Sequence, residues 1–155
     1  MTSFGRISDP TKKEDLTYFQ ADMNFRLGRF NQAIDLAKRA LENANKDEKS
    51  ELSKIIGESY FNLKLYSEAI PYLESYKGKK GKITNTDLYQ LGYAYFKEKK
   101  FTKAISQFNQ IIGENNSLSQ NSYYTLAECY LKTNNKSAAL NAFKIASNMS
   151  FNPNI

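Results

Sequence analysis

The stretch LGYAYFKEKKFTKAI at residues 91–105 has three relatives in the same chain: QADMNFRLGRFNQAI at 20–34, IGESYFNLKLYSEAI at 56–70 and LAECYLKTNNKSAAL at 126–140. Their starts are 36, 35 and 35 residues apart. A repeat of this period constrains the fold more than any other feature of the sequence. Each copy must take the same local structure, and each must bury its apolar face on a neighbour.

The columns show what each place requires. The second position is always small: Ala21, Gly57, Gly92 and Ala127. Twelve residues later an alanine stands in every copy, as Ala33, Ala69, Ala104 and Ala139. Helix axes approach to about 8 Å only where side chains are this small, so these columns mark the crossing of a helix pair. Asn24, Tyr60, Tyr95 and Tyr130 form one column of larger side chains around the crossing, and Phe30, Tyr66, Phe101 and Lys136 form another.

Each copy therefore reads as two antiparallel amphipathic helices joined by a short polar turn. The expected spans are 11–27, 31–44, 47–63, 67–77, 84–98, 101–113, 118–132 and 136–149. TKKE at 11–14 and NKDE at 45–48 have the form of capping boxes, and TNTD at 84–87 offers several capping oxygens. Pro71, early in the fourth helix, costs one hydrogen bond without having to break it.

Composition narrows the chemistry. There is no histidine among the 155 residues, which removes the commonest general base, metal ligand and partner of a Ser or Cys nucleophile. No catalytic machinery, metal site or cofactor site is visible, and a non-enzymatic protein is expected. Cys129 stands between apolar neighbours in LAECYL and reads as a buried packing thiol. No stretch reaches the roughly 20 apolar residues of a membrane span, and MTSFGRISDPTKK lacks the apolar core of a signal peptide. A reducing, cytoplasmic setting is the simple expectation for a complete chain; for a fragment the compartment is undetermined.

The pattern resembles the tetratricopeptide repeat, a helical hairpin carrying Leu-Gly, Tyr, a Gly-aromatic turn, Ala and a later aromatic, with proline near its end. The third copy matches best, through Leu91, Gly92, Tyr95, Phe101, Ala104 and Phe108, and Pro153 stands near the family's proline. The copies depart from the pattern at Asn24 and Lys136, and they run one or two residues longer than the usual unit. The resemblance implies an all-α fold: an α-solenoid of four antiparallel helical hairpins in a right-handed superhelix. It covers a single domain at 11–150 with repeats at about 15–46, 50–83, 85–117 and 120–150. Residues 1–10 are then a flexible N-terminus, and 151–155 a tail or a link to a further repeat.

In the family, the first helices line a concave surface that binds extended peptides or helices. Four columns are expected to face that groove here: Tyr18, Lys54, Tyr89 and Tyr124; Asp22, Glu58, Tyr93 and Glu128; Phe25, Phe61, Phe96 and Leu131; and Arg26, Asn62, Lys97 and Lys132. Aromatic anchors among mixed charges suit a partner-binding surface, since each ring buries a large area at small entropic cost. Phe25, Phe61 and Phe96 serve equally well to pack one repeat on the next, whereas the hydroxyls of Tyr89, Tyr93 and Tyr124 tolerate water. One subclass grips the C-terminal carboxylate of heat-shock chaperones, but this chain has Tyr18, Asp22, Thr86 and Gln90 where that clamp needs Lys, Asn, Lys and Arg.

The implied function is protein–protein interaction, as a scaffold holding a peptide or helix of a partner in the groove. Two alternatives stand beside it: binding of RNA or an anionic surface through the lysine-rich C-terminal half, and a structural spacer within a longer repeat protein. Residues 1–76 carry 11 basic and 12 acidic side chains, and residues 77–155 carry 11 and 4. A low-GC genome yields the same lysine excess without selection for a nucleic-acid partner. KGKKGK at 77–82 and KEKK at 97–100 fall at opposite helix ends, about 20 Å apart. The first reads as a solvated linker; Lys64, Lys97, Lys99 and Lys132 suit helix C-termini. Leu140, Phe143 and Ile145 lack a neighbour in the last copy, which points to a further repeat or to self-association.

Overall fold

The computed structural model describes residues 13–111, 113–152 and 154. Thr11, the expected cap of the first helix, lies outside these residues together with 1–10 and Pro153. Among the described residues eight helices form four hairpins: α1 (Lys13–Arg26) with α2 (Phe30–Leu41), α3 (Lys46–Asn62) with α4 (Tyr66–Ser75), α5 (Asn85–Lys97) with α6 (Phe101–Phe108), and α7 (Ser117–Lys132) with α8 (Lys136–Ser147). The fold is all-α among the described residues, and the only other ladder is an isolated bridge between Lys79 and Lys82.

Local signals set the helix starts. Asn45 accepts from the Glu48 amide at 2.9 Å while the Glu48 carboxylate accepts from the Asn45 amide at 2.8 Å, a reciprocal capping box at the head of α3. Thr84 and Asp87 repeat it on α5, and Asn116 caps α7 through the Ser119 amide. Pro71 lies inside α4, and the helix runs on to Ser75.

The turns inside the hairpins are four copies of one motif. Gly28, Lys64, Lys99 and Asn134 all have φ between 61° and 77°. The amide after each donates back five residues, as Arg29 to Asn24 and Lys100 to Tyr95, both at 2.8 Å. This is a Schellman closure, which needs a left-handed residue past the helix end. The sequence reading attributed Lys64 and Lys99 to the helix dipole alone; their backbone role was not legible in their charge.

The predicted crossings hold. Ala21, Ala33, Ala69, Ala104, Ala127 and Ala139 are fully or almost fully buried. A Cβ on Gly57 would stand 2.9 Å from the Leu73 side chain and 3.0 Å from its backbone nitrogen, and one on Gly92 would stand 3.0 Å from the Phe108 ring. Helix α6 stops at Phe108, five residues before the expected end. The amides of Gln110 and Ile111 bond only three residues back, so the last turn tightens and the chain leaves the helix before Gly113.

The chain divides into two compact units, Met1–Lys82 and Ile83–Ile155. In the first, Leu52, Ile55 and Ile56 of α3 pack with Ala21 of α1 and Ala33, Ile34, Ala37 and Ala40 of α2 in one buried cluster. Beyond α4 the Lys77 amide donates to Ser50 at 2.9 Å, and Lys79–Lys82 close a tight turn through Gly78, Lys80 and Gly81 at positive φ. The lysine-rich stretch is therefore ordered backbone carrying charges on its surface.

In the second unit, α7 packs on α5 and α6. The fully buried Gln120 holds the chain beyond α8. Its Nε2 donates to the Ala146, Met149 and Asn152 carbonyls at 3.0, 3.0 and 3.2 Å, and its Oε1 accepts from the Asn152 amide at 2.7 Å. Cys129 is fully buried, and burial pushes its thiol up to about 12, so the sulfur packs as a protonated hydrophobe.

Candidate functional site

The expected binding residues lie on the first helix of each hairpin, and each unit presents its own set. In the first unit, Tyr18 is half-buried on α1, edge-on to Phe19 at 5.5 Å. Burial, then the carboxylates of Asp22 and Glu51, push its hydroxyl up to about 12, so it is a neutral donor at any ordinary pH. Asp22 accepts from Arg26 at 2.9 Å, one turn along the helix. On α3, Lys54 lies 3.8 Å from Glu58 and 4.9 Å from the centre of the Tyr76 ring. Asn62 is exposed and donates back along its own helix to the Glu58 carbonyl at 2.7 Å. Most charges on this face are thus held by neighbours on the same helix. Such exposed pairs are worth little to stability and keep the side chains aligned.

The phenylalanine column has a definite packing role. Phe25 meets Phe30 at 5.8 Å, Phe61 meets Tyr66 at 5.4 Å and Phe96 meets Phe101 at 6.1 Å, each edge to face. In each case the last turn of the first helix is clamped to the first residue of the second. The fourth hairpin has Leu131 and Lys136 at these places, and Leu131 is exposed.

The second unit carries an aromatic ladder. Tyr89 and Tyr93 stack at 5.8 Å with an interplanar angle of 22°, and Tyr93 meets Phe96 at 6.0 Å. Lys97 places its ammonium 5.8 Å from the Tyr93 ring centre. Tyr89 also rests on the buried Phe108 at 6.0 Å, so the ladder is anchored in the hairpin core at one end. On α7, Tyr124 is partly exposed, edge-on to Phe143 at 5.7 Å. Its hydroxyl bonds to Glu128, which raises the tyrosine's pKa and leaves the carboxylate accepting. Lys97 and Lys132 are exposed at the ends of α5 and α7. Rings fixed by their neighbours, with two exposed ammonium groups at the margin, can hold apolar side chains and donate from the lysines to carbonyls or carboxylates.

One feature of the first unit escaped the sequence reading. Lys38 of α2 donates to the Tyr60 hydroxyl at 2.7 Å and lies 5.2 and 5.8 Å from the Tyr60 and Tyr72 ring centres. That bond, more than the nearby charges, raises the lysine's pKa. Tyr72 also lines a cleft of about 930 Å³ between the end of α2, the start of α3 and the end of α4, with Leu41, Lys49, Ser53 and Glu74. Column reading could not find it, because its residues come from three helices at places that differ between copies. Among the described residues no group of acidic, cysteine or histidine side chains is placed to hold a metal ion, and no helix is long and apolar enough to cross a membrane.

Comparison with known proteins follows the hairpins. A family model described as "Tetratricopeptide repeat" matches residues 20–82, and one described as "Anaphase-promoting complex, cyclosome, subunit 3" matches residues 81–146. Among solved structures the chain is similar to "MamA MSR-1 C2", at 18% identity over 94% of this chain and 82% of that one with a TM-score of 0.73. It is similar to "Crystal structure of MamA", at 22% identity over 84% and 74% with a TM-score of 0.68. It is also similar to "MamA 41-end from Desulfovibrio magneticus RS-1", at 18% identity over 88% and 75% with a TM-score of 0.67. At these identities the likeness is one of fold. No curated protein sequence matches the chain significantly.

Proposed function

The chain belongs to the tetratricopeptide-repeat family, and from that premise we propose that it is a non-catalytic adaptor holding a peptide or helix of a partner protein on its first-helix faces. Repeats of this kind are generally protein–protein interaction modules and typically non-enzymatic scaffolds. The observation that carries the reading is the ladder on α5: Tyr89 stacked on Tyr93, Tyr93 against Phe96, and Lys97 over the Tyr93 ring. A prealigned set of rings loses little freedom on binding, so most of the area it buries counts toward affinity. Tyr124, Glu128 and Lys132 on α7 supply the polar margin of the same unit. Tyr18, Asp22, Phe25, Arg26, Lys54, Glu58, Phe61 and Asn62 form the corresponding face of the first unit.

Tyr93→Ser with Tyr124→Ser tests the reading, and Tyr89 is left in place because it supports the buried Phe108. Proteins retained from a lysate of the source organism by the native chain and by the double variant are compared, with circular dichroism confirming equal helicity. A photo-crosslinking residue at position 93 should form an adduct with the protein that the double variant loses. Identical retention by both chains, with no adduct at position 93, rejects the aromatic face as the binding site.

A further inference from the structure

Within each unit, a first helix docks on the preceding hairpin through one face. In α3 that face is Leu52, Ile55, Ile56 and Ser59, at 0, 6, 0 and 0% exposure. In α7 it is Ser122, Thr125, Leu126 and Cys129, all buried, where α7 packs on α5 and α6. One repeat earlier, the places of the α3 residues fall on Leu16, Phe19, Gln20 and Met23 of α1. There the apolar members are 46, 37 and 61% exposed, and Leu27 continues the stripe at 59%. The described neighbours of α1 are α2 and α3, which lie on its Ala21 side, so this face is uncovered among the described residues. Single exposed apolar side chains are ordinary, but three on one helix stripe with a fourth just past its end form a patch.

The receiving half of such an interface is also exposed. In the first unit Ile34 and Ala37 of α2, 5 and 0% exposed, share the buried cluster with the docking face of α3. Their places in the fourth hairpin are Leu140, 57% exposed, and the half-buried Phe143. We propose that the occupant of the α1 face is a second copy of this chain, whose α7–α8 end receives α1 as α1 and α2 receive α3. The internal interface is the argument for this occupant: it shows which surface covers the corresponding stripe of α3, and the chain exposes the corresponding surface at α8. The two patches differ, so the contact is heterologous, and copies add head to tail instead of closing as a two-fold dimer. None of the ladder residues proposed to bind a partner takes part.

The test is sedimentation of the full chain over a wide concentration range, with two variants changed only at exposed positions. The native chain should show a mass that keeps rising with concentration. Leu16→Glu with Met23→Glu removes the docking half and Leu140→Glu the receiving half; each alone should be monomeric, with affinity down about tenfold or more from burial of an unpaired charge. Mixed in equal amounts, the two variants should form a dimer, because one intact docking face and one intact receiving face remain. A native chain monomeric into the millimolar range overturns the proposal. So does a dimer abolished by the α1 changes and not restored by mixing, which would mean α1 against α1.

Discussion

At the scale of single residues, two kinds of side chain stand where their chemistry is at odds with their place. Lys64 and Lys99 hold left-handed backbone at φ 62° and 61°, where the first repeat has Gly28. A side chain in that region costs about 1 kcal/mol, because its Cβ crowds the following carbonyl oxygen. Lys64→Gly and Lys99→Gly should therefore each raise stability by about 0.5–1 kcal/mol; a scanning calorimeter should register an increase of about 1–4 °C for each. Cys129 is the second kind. Its folded thiol holds its proton up to about 12, whereas an unfolded cysteine releases it near about 8.5. The unfolded chain therefore sheds the proton first as pH rises. The stability that burial supplies is complete below about 8.5 and is lost progressively toward 12. Tyr18, raised from 10.0 to about 12, adds to the same loss at its upper end. Urea midpoints should fall from pH 8.5 upward, and Cys129→Ala should flatten the early part of that fall. A thiol reagent at pH 8 should leave the folded chain unlabelled and react once urea unfolds it.

At the scale of the element, small residues decide how closely a hairpin closes, and their spacing made the fold legible. Alanine twelve residues after a small residue, four times over, has no explanation in composition; it follows from axes that cross closely. The two glycines in the small column are not equivalent, however. A Cβ at Gly57 meets the backbone nitrogen of Leu73 at 3.0 Å, whereas one at Gly92 meets side chains alone, the Phe108 ring at 3.0 Å and the Gln107 Cβ at 3.2 Å. Gly57→Ala should destabilise by about 1 kcal/mol or more, although alanine is favoured in helices by nearly that amount. Gly92→Ala should be close to neutral, as ring movement offsets the propensity gain. Chemical denaturation of both variants separates the two effects, and equal outcomes would mean that α4 shifts as easily as a ring. Elements governed by contacts without a period were the ones the sequence hid. The end of α6 depends on a tightened last turn, and the segment beyond α8 depends on Gln120, whose polar side chain gave no sign of lying at 0% exposure.

At the scale of the whole molecule, the charge asymmetry changes meaning once the units are known. Divided at residue 76, the sequence has a basic C-terminal half. Divided at Lys82, where the first unit ends, it has 15 basic against 12 acidic side chains before the boundary and 7 against 4 after it, a net +3 on each side. The four lysines of KGKKGK belong to a turn of the first unit; of the seven in the second, Lys97, Lys99, Lys100 and Lys103 lie around the turn between α5 and α6, and Lys132, Lys136 and Lys144 stand singly on α7 and α8. The first-helix columns proposed to bind a partner were readable because period and side-chain size reveal them; the distribution of charge was not, because it depends on where the chain divides. This bears on the nucleic-acid alternative. A protein that neutralises six or more phosphates loses about a thousandfold or more in affinity between about 50 and 200 mM salt. With a net +3 on each unit, the chain should bind a single-stranded RNA only weakly at low salt and without saturation near physiological salt, measured by fluorescence anisotropy. Changing Lys77, Lys79, Lys80 and Lys82 to Gln should abolish the low-salt binding and leave retention of the protein partner unchanged, whereas Tyr93→Ser with Tyr124→Ser should do the reverse. Saturable RNA binding that survives physiological salt would put the anionic reading ahead of the adaptor. Loss of the protein partner on neutralising the four lysines would move the binding surface from the aromatic ladder to the turn at the end of the first unit.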